Sequence, residues 1–76
     1  MIKSFNGTNP VIHSGAFIAI NASIIGDVVI GNDVSVWYNS VIRGDFNAIN
    51  IGAGTNVQDN SILHVDVDEP LMIGQN

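Results

Sequence analysis

Five polar side chains in the middle and the last third of the chain could together perform chemistry: Arg43, Asp45, Gln58, Asp59 and His64. A neutral imidazole can ligate a metal ion or act as a base. A guanidinium can bind an anion or a carboxylate through paired hydrogen bonds. A side-chain amide can orient a water or a hydroxide. These residue types could form a polar site if the fold brings them together.

A six-residue repeat decides where these side chains lie. Aliphatic residues recur at this spacing, at Ile12, Ile18, Ile24, Ile30, Val36 and Ile42, then at Ile51, Val57 and Leu63, and again at Ile73. The sequence predicts that Ala48, Ile49 and Asn50 form a first interruption, and that a second runs from Glu69 to Met72. A period of six matches neither an α-helix nor a simple amphipathic strand.

A second column of residues supports the same register. Three residues after each aliphatic stands Gly, Asn or Asp: Gly15, Asn21, Asp27, Asp33, Asn39, Asp45, Gly54, Asn60, Asp66 and Asn76. These residue types tolerate left-handed backbone dihedrals better than any others. Each hexad is therefore predicted to be a short strand followed by a corner. For Asp66 this structural role suffices, whereas Asp45 fits a structural and a functional role equally.

Three hexads predict one triangular coil, and stacked coils predict a parallel β-helix. The coils would span 12–29, 30–47 and 51–68, preceded by a lead-in over 1–11, and the repeat region would extend over 12–76. Both interruptions would then fall at the same corner of the prism. Neighbouring coils would be in-register parallel strands about 4.8 Å apart. The sequence thus predicts an all-β solenoid of about three coils, whose hand the repeat itself does not fix.

The position after each aliphatic should face outward, and this places the chemical residues. Arg43 and His64 would share one column of one face, one coil apart. Gln58 would lie on the adjoining face, with Trp37 packing on the surface of the prism. His13 has no polar neighbours of this kind and is interpreted as a surface residue.

Composition excludes several classes of protein. The chain has two Lys and Arg against seven Asp and Glu, for a formal net charge of -5. Binding to nucleic acid or to an anionic membrane requires several cations on one surface, so neither is expected. The chain contains no Cys and no apolar run near the ~20 residues of a membrane span. The N-terminus does not resemble a signal peptide, and we expect a cytoplasmic protein.

Three motifs in this order resemble the γ-class carbonic anhydrase family. They are Val-Ile-Arg-Gly-Asp at 41–45, Asn-Val-Gln-Asp-Asn at 56–60 and Leu-His at 63–64. The resemblance implies a left-handed β-helix, a homotrimer, and zinc or iron held between subunits by three His, with carbon dioxide and bicarbonate as substrates. A metal with an open position suits this chemistry because it lowers the pKa of bound water to about 7.

The resemblance also implies a role for each residue of the motifs. His64 matches the first metal ligand, and Gln58 matches the residue that hydrogen-bonds the reacting water or bicarbonate. Arg43, Asp45 and Asp59 match a network that binds the anion and joins subunits. The second and third His ligands of the family lie beyond the Leu-His motif, so the chain is expected to be C-terminally incomplete and inactive alone. The loop over 66–70 is also shorter than the acidic loop of some family members.

Two other functions fit the repeat. A hexapeptide acyltransferase that uses acyl-coenzyme A also places a His base between β-helix subunits. A non-catalytic trimeric scaffold would use Arg43, Asp45 and Asp59 only as interface contacts. Residues downstream of this chain would discriminate: two closely spaced His favour the metal site, a coenzyme A loop favours acyl transfer, and neither leaves the scaffold.

The open end of the solenoid generates a first prediction. Ile73 begins a hexad that stops at Asn76, and an uncovered coil exposes apolar core and unpaired strand edges. We expect the chain to associate, either by stacking through that end or by lateral packing into a trimer. Sedimentation velocity at micromolar concentration checks this, and a stable monomer would contradict it.

Overall fold

The structure, a computed structural model, describes residues 1–64 and 71–74, with the side chain of Phe46 excepted. The corner residues predicted at Asp66 and Asn76, and the loop over 66–70, lie outside the described residues. The described residues contain no helix. Their strands are β1 Ile2–Lys3, β2 Val11–Ile12, β3 Phe17–Ile18, β4 Ser23–Ile30, β5 Ser35–Val36, β6 Val41–Ile51, β7 Asn56–Val57, β8 Ile62–His64 and β9 Leu71–Ile73.

All named strands pair in parallel, and the three predicted aliphatic columns are confirmed. The first column pairs Ile12 with Ile30, Ile30 with Ile51, and Ile51 with Ile73. The second runs through Ile18, Val36 and Val57, and the third through Ile24, Ile42 and Leu63. The predicted fold class, an all-β parallel solenoid of about three coils, is therefore confirmed.

Burial follows the position of each coil along the solenoid. In the middle of the stack, Ile24 and Ile42 are completely buried. At the two ends, Ile12 and Leu63 are only half-buried against the same core. Burying an aliphatic side chain of this size contributes about 1.5–3 kcal/mol. The central coil is thus where the aliphatic columns stabilise the fold most.

At two of the three corners, the second and third coils behave as their residue types predict, whereas Gly15 and Asn21 of the first coil do not have positive φ. Asp33 and Asn39 have positive φ, and so do Gly54 and Asn60 one coil later. Asn21 and Asn39 also stack, since the Asn21 side chain donates to Asn39 Oδ1 at 2.6 Å and accepts from the Asn39 N–H at 3.0 Å. Such a ladder satisfies corner groups that the strands leave unpaired.

The third corner differs from the prediction. Its positive φ belongs to Gly26 (81°) rather than to Asp27, so β4 continues through the corner without a break. Gly26 pairs with Gly44, and the two backbones approach so closely that neither residue has room for a Cβ. Small residues are needed here because backbone, not side chain, fills the corner.

The predicted position of the first interruption is wrong, because the interruption lies two or three residues earlier in the chain. The register runs from Gly26–Gly44 directly to Val28–Ile49, so the additional residues lie within 45–48 rather than 48–50. Ile49 is fully buried and stacks on Val28. A position that packs against the core favours an aliphatic residue, whereas the corner itself tolerates extra length. Likewise, Leu71 and Met72 are not part of the second interruption but belong to β9.

The lead-in adds a strand to the edge of the solenoid. Ile2 and Lys3 pair with Ile24 and Ile25 of β4, which places Lys3 in the same outward column as Ile25 and Arg43. The α-ammonium of Met1 donates to the carbonyl of Ala22. Residues of the lead-in thus partly cover the first coil.

Gly44 offers a direct test of the close approach at the third corner. A Cβ at this position would overlap the carbonyl oxygen of Asp27, which is backbone and cannot rotate away. We expect Gly44→Ala to lower the free energy of unfolding by about 1–3 kcal/mol in urea titrations. Gly74→Ala is the matched control, because nothing lies within 4 Å of a Cβ there, and it should change stability by less than about 0.5 kcal/mol.

Leu63 and His64 test the alternation of inward and outward side chains. Leu63 packs on the core whereas His64 is exposed. Leu63→Ala should therefore lower the free energy of unfolding by about 1–2 kcal/mol, and His64→Ala by no more than about 0.5–1 kcal/mol. Urea unfolding of the two variants measures both. Equal losses, or a greater loss for His64→Ala, would show that the register is wrong.

Candidate functional site

Three of the five predicted site residues come together on one outward face. Arg43 pairs in register with His64 across β6 and β8, as the repeat predicts. The Arg43 Nη2 and the His64 Nε2 lie 2.7 Å apart. The Arg43 Nε lies 3.0 Å from Asp45 Oδ2, and His64 Nε2 lies 3.6 Å from Asp45 Oδ1. We call Arg43, Asp45 and His64 the polar cluster.

Local sequence explains why the polar cluster forms. Ile42 and Leu63 point into the core, so strand alternation turns Arg43 and His64 outward. Gly44 occupies the next inward position, where the backbones meet, and Asp45 follows at the start of the inserted residues. The motif Arg-Gly-Asp thus places one cation and one carboxylate on the same side of β6, where they form an ion pair.

The hydrogen bonds fix the roles of the polar cluster. A guanidinium only donates hydrogen bonds, so His64 must accept at Nε2 and carry its proton on Nδ1. Arg43 Nε donates to Asp45, whereas the 3.6 Å from His64 to Asp45 is too long for a hydrogen bond. The Asp45 side chain is only 11% exposed, against 46% for Arg43 and 44% for His64. Asp45 is the fixed member of the cluster, and Arg43 bridges it to the imidazole.

The polar cluster does not include Gln58 and Asp59. Both are exposed, and within the described residues neither side chain makes a hydrogen bond or an ion pair. Their backbone is well held, because Ser40 Oγ donates to the Gln58 carbonyl at 2.6 Å. The predicted grouping of Asp59 with Arg43 and Asp45 is therefore not formed by contacts within this part of the chain.

Trp37 and His13 have structural surroundings, as expected. The Trp37 ring packs on Phe17 with centroids 5.0 Å apart, and its Nε1 donates to Asn56 Oδ1 at 2.6 Å. His13 is exposed and its Nδ1 accepts from the Gly15 N–H at 3.0 Å. Neither side chain contacts the polar cluster.

The six-residue repeat does not indicate the cleft that lies beside Asp45. This cleft has a volume of about 230 Å³ and lies between the lead-in and the third corner. Its lining consists mainly of polar residues: Asn6, Thr8, Asp27, Asp45 and Asn47, together with Phe5 and Gly44. No repeat position marks these residues. The pairing of β1 with β4 and the bridge between Phe5 and Thr8 bring the lead-in to this corner.

The described residues do not by themselves suffice for a metal centre. Among them, no three His, Asp, Glu or Cys side chains lie close enough together to hold an ion. The polar cluster offers one imidazole and one carboxylate, whereas catalytic zinc usually has three protein ligands. Any metal at His64 would need further ligands from outside this part of the chain.

Comparisons with known proteins agree with the fold and with the motifs. The family model described as bacterial transferase hexapeptide (six repeats) matches residues 9–44. A carbonic anhydrase of Geobacillus kaustophilus is 51% identical over 96% of this chain and 40% of its own length. Gamma carbonic anhydrase 1, mitochondrial, of Arabidopsis thaliana is 47% identical over 88% of this chain and 26% of its own length.

A solved structure shows the same solenoid. The hexapeptide transferase family protein from Anaplasma phagocytophilum superposes with a TM-score of 0.93 at 45% identity, covering 99% of this chain and 43% of that protein. The chain thus spans less than half the length of each of these relatives. None of the described residues forms a helix that could span a membrane. The chain belongs to the hexapeptide-repeat proteins of the γ-carbonic anhydrase-like family.

Proposed function

We propose that this chain is part of a metal-dependent enzyme that hydrates carbon dioxide. The observation that carries the proposal is the polar cluster, in which the register of β6 and β8 sets the Arg43 guanidinium against the His64 imidazole. Relatives named carbonic anhydrase, at 47–51% identity, support it. A bound zinc or iron would supply a Lewis acid able to provide hydroxide at neutral pH.

Each residue has a role that its surroundings favour. His64 would contribute one metal ligand, since it is exposed at the edge of β8 and leaves the core intact. Arg43 would bind the anionic product, because its guanidinium is half exposed and Asp45 holds it in position. Gln58, with an exposed amide on a fixed backbone, would orient the reacting water.

Assembly would complete the site. One imidazole per chain is too few for a tight metal site, so ligands must converge from other segments or subunits. We propose a homotrimer in which the exposed Asp59 and the Arg43–Asp45 pair lie near a subunit boundary. The single chain, with its incomplete ligand set, would have no activity.

A second candidate is acyl transfer with acyl-coenzyme A as the donor. It draws on two observations, the family model named for bacterial transferases and the similarity to the hexapeptide transferase family protein. This function would be favoured if a longer protein that contains this chain binds acyl-coenzyme A and holds no stoichiometric metal. The absence of both would favour a non-catalytic scaffold.

The cytoplasmic location stays a prediction. One of the similar relatives is named as mitochondrial. Cell fractionation would distinguish the two compartments.

His64 provides the decisive test of the proposed metal site. In the longer protein, His64→Ala should remove stoichiometric metal and carbon dioxide hydration while leaving the circular dichroism spectrum unchanged, because the side chain lies outside the core. Elemental analysis and stopped-flow hydration assays measure both. His13→Ala is the matched control, since that imidazole is also exposed but lies away from the polar cluster. Full metal content in His64→Ala would contradict the proposal.

A further inference from the structure

Neither ring nitrogen of His64 is ready to bind a metal. The Nε2 accepts a hydrogen bond from Arg43 Nη2 at 2.7 Å, and the Nδ1 must then carry the proton of the neutral ring. An imidazole nitrogen has one lone pair in the ring plane. A metal ion at Nε2 would need the lone pair that the guanidinium already uses.

Charge adds to this obstruction. The guanidinium is positive under all ordinary conditions, so its presence at Nε2 also repels a divalent cation. Solvent weakens the repulsion, because both side chains are about half exposed. The hydrogen bond itself is charge-assisted and stronger than a neutral one.

Asp45 keeps the guanidinium in reach of the imidazole. It accepts from Arg43 Nε at 3.0 Å and is itself largely buried, so the Arg43 side chain is anchored at one of its nitrogens. An Nη2 that left His64 while Nε kept this contact would donate to an anion instead.

We infer that Arg43 and a metal ion compete for Nε2 of His64, so that the guanidinium holds the imidazole in a form that excludes the ion. This competition would regulate metal binding at the proposed site, and its regulatory role rests on the proposed function. A metal ion would bind Nε2 only where Arg43 Nη2 no longer donates to it.

The experiment uses this chain labelled with ¹⁵N, in buffer at about pH 8, where free imidazole is neutral. Ring ¹⁵N spectra report the tautomer of His64, and a zinc titration followed at the same resonances reports its apparent affinity. Arg43→Met removes the donor and keeps an unbranched apolar stem. Lys3→Met is the matched control, because Lys3 lies in the same outward column and is the only other Lys or Arg. His13 serves as the internal reference in every sample.

We expect the tautomer of His64 and its zinc affinity to differ between these variants. His64 should carry its proton on Nδ1 in the unmodified chain and in Lys3→Met, and should shift toward the Nε2–H form in Arg43→Met. Zinc affinity at His64 should rise about three- to tenfold in Arg43→Met alone. The affinity at His13 should stay the same throughout.

Two outcomes would overturn the competition. One is an Nε2–H tautomer in the unmodified chain, a measurement that needs no variant and holds even if Arg43→Met fails to fold. The other is equal zinc affinity at His64 in Arg43→Met and Lys3→Met. If Arg43→Met tightens zinc binding here but the longer protein holds no metal, the competition stands and the proposed function fails.

Discussion

The in-register stacking of aliphatic side chains is the constraint on which the rest of this structure depends. Because strand alternation has a period of two, a shift of one residue would turn every inward side chain toward solvent. The stacking of Ile24, Ile42 and Leu63 therefore fixes the register of their strands. The same register determines which side chains of those strands face outward. Arg43 meets His64 because Ile42 lies on Leu63, so the position of the polar cluster follows from the core.

The polar cluster contributes little to the stability that positions it. A contact between two half-exposed side chains, such as Arg43 and His64, is typically worth about 0–1 kcal/mol, whereas one buried aliphatic side chain contributes about 1.5–3 kcal/mol. Residues on the outer face can therefore change with small effect on the fold. Chemistry and stability are assigned to alternate residues of the same strand, with Ile42 inward and Arg43 outward.

The sequence was sufficient to predict what the repeat controls. Hydrophobicity and backbone tolerance reveal the six-residue period in the sequence. That period determines the three aliphatic columns, the corners at Asp33 and Asn39, and the pairing of Arg43 with His64. The sequence was insufficient at the third corner. The spacing predicts Ile49 within the insertion, because a gap in a six-residue period does not show which residues leave the ladder, and core packing on Val28 decides that.

Contacts between side chains are harder to predict from the sequence than the register of the strands. The Arg43–His64 hydrogen bond depends on rotamers and on the anchoring of Arg43 by Asp45, and neither has a signature in the spacing of residues. Gln58 and Asp59 were grouped with the cluster through the family resemblance, yet within the described residues their side chains have no polar contacts. Composition thus indicated which residues could act, whereas three-dimensional geometry showed which of them meet.

The inserted residues show how a solenoid can acquire a site without losing its core. The spacing along the first aliphatic column lengthens from 18 residues (12 to 30) to 21 (30 to 51), yet the column stays in register. The added length falls within 45–48, immediately after Gly44 has closed the corner. Asp45 follows Gly44 directly, and its side chain contacts Arg43, with Oδ2 3.0 Å from the Arg43 Nε. Because the added length lies after Gly44, it leaves both the aliphatic column and the pairing of Arg43 with His64 in register.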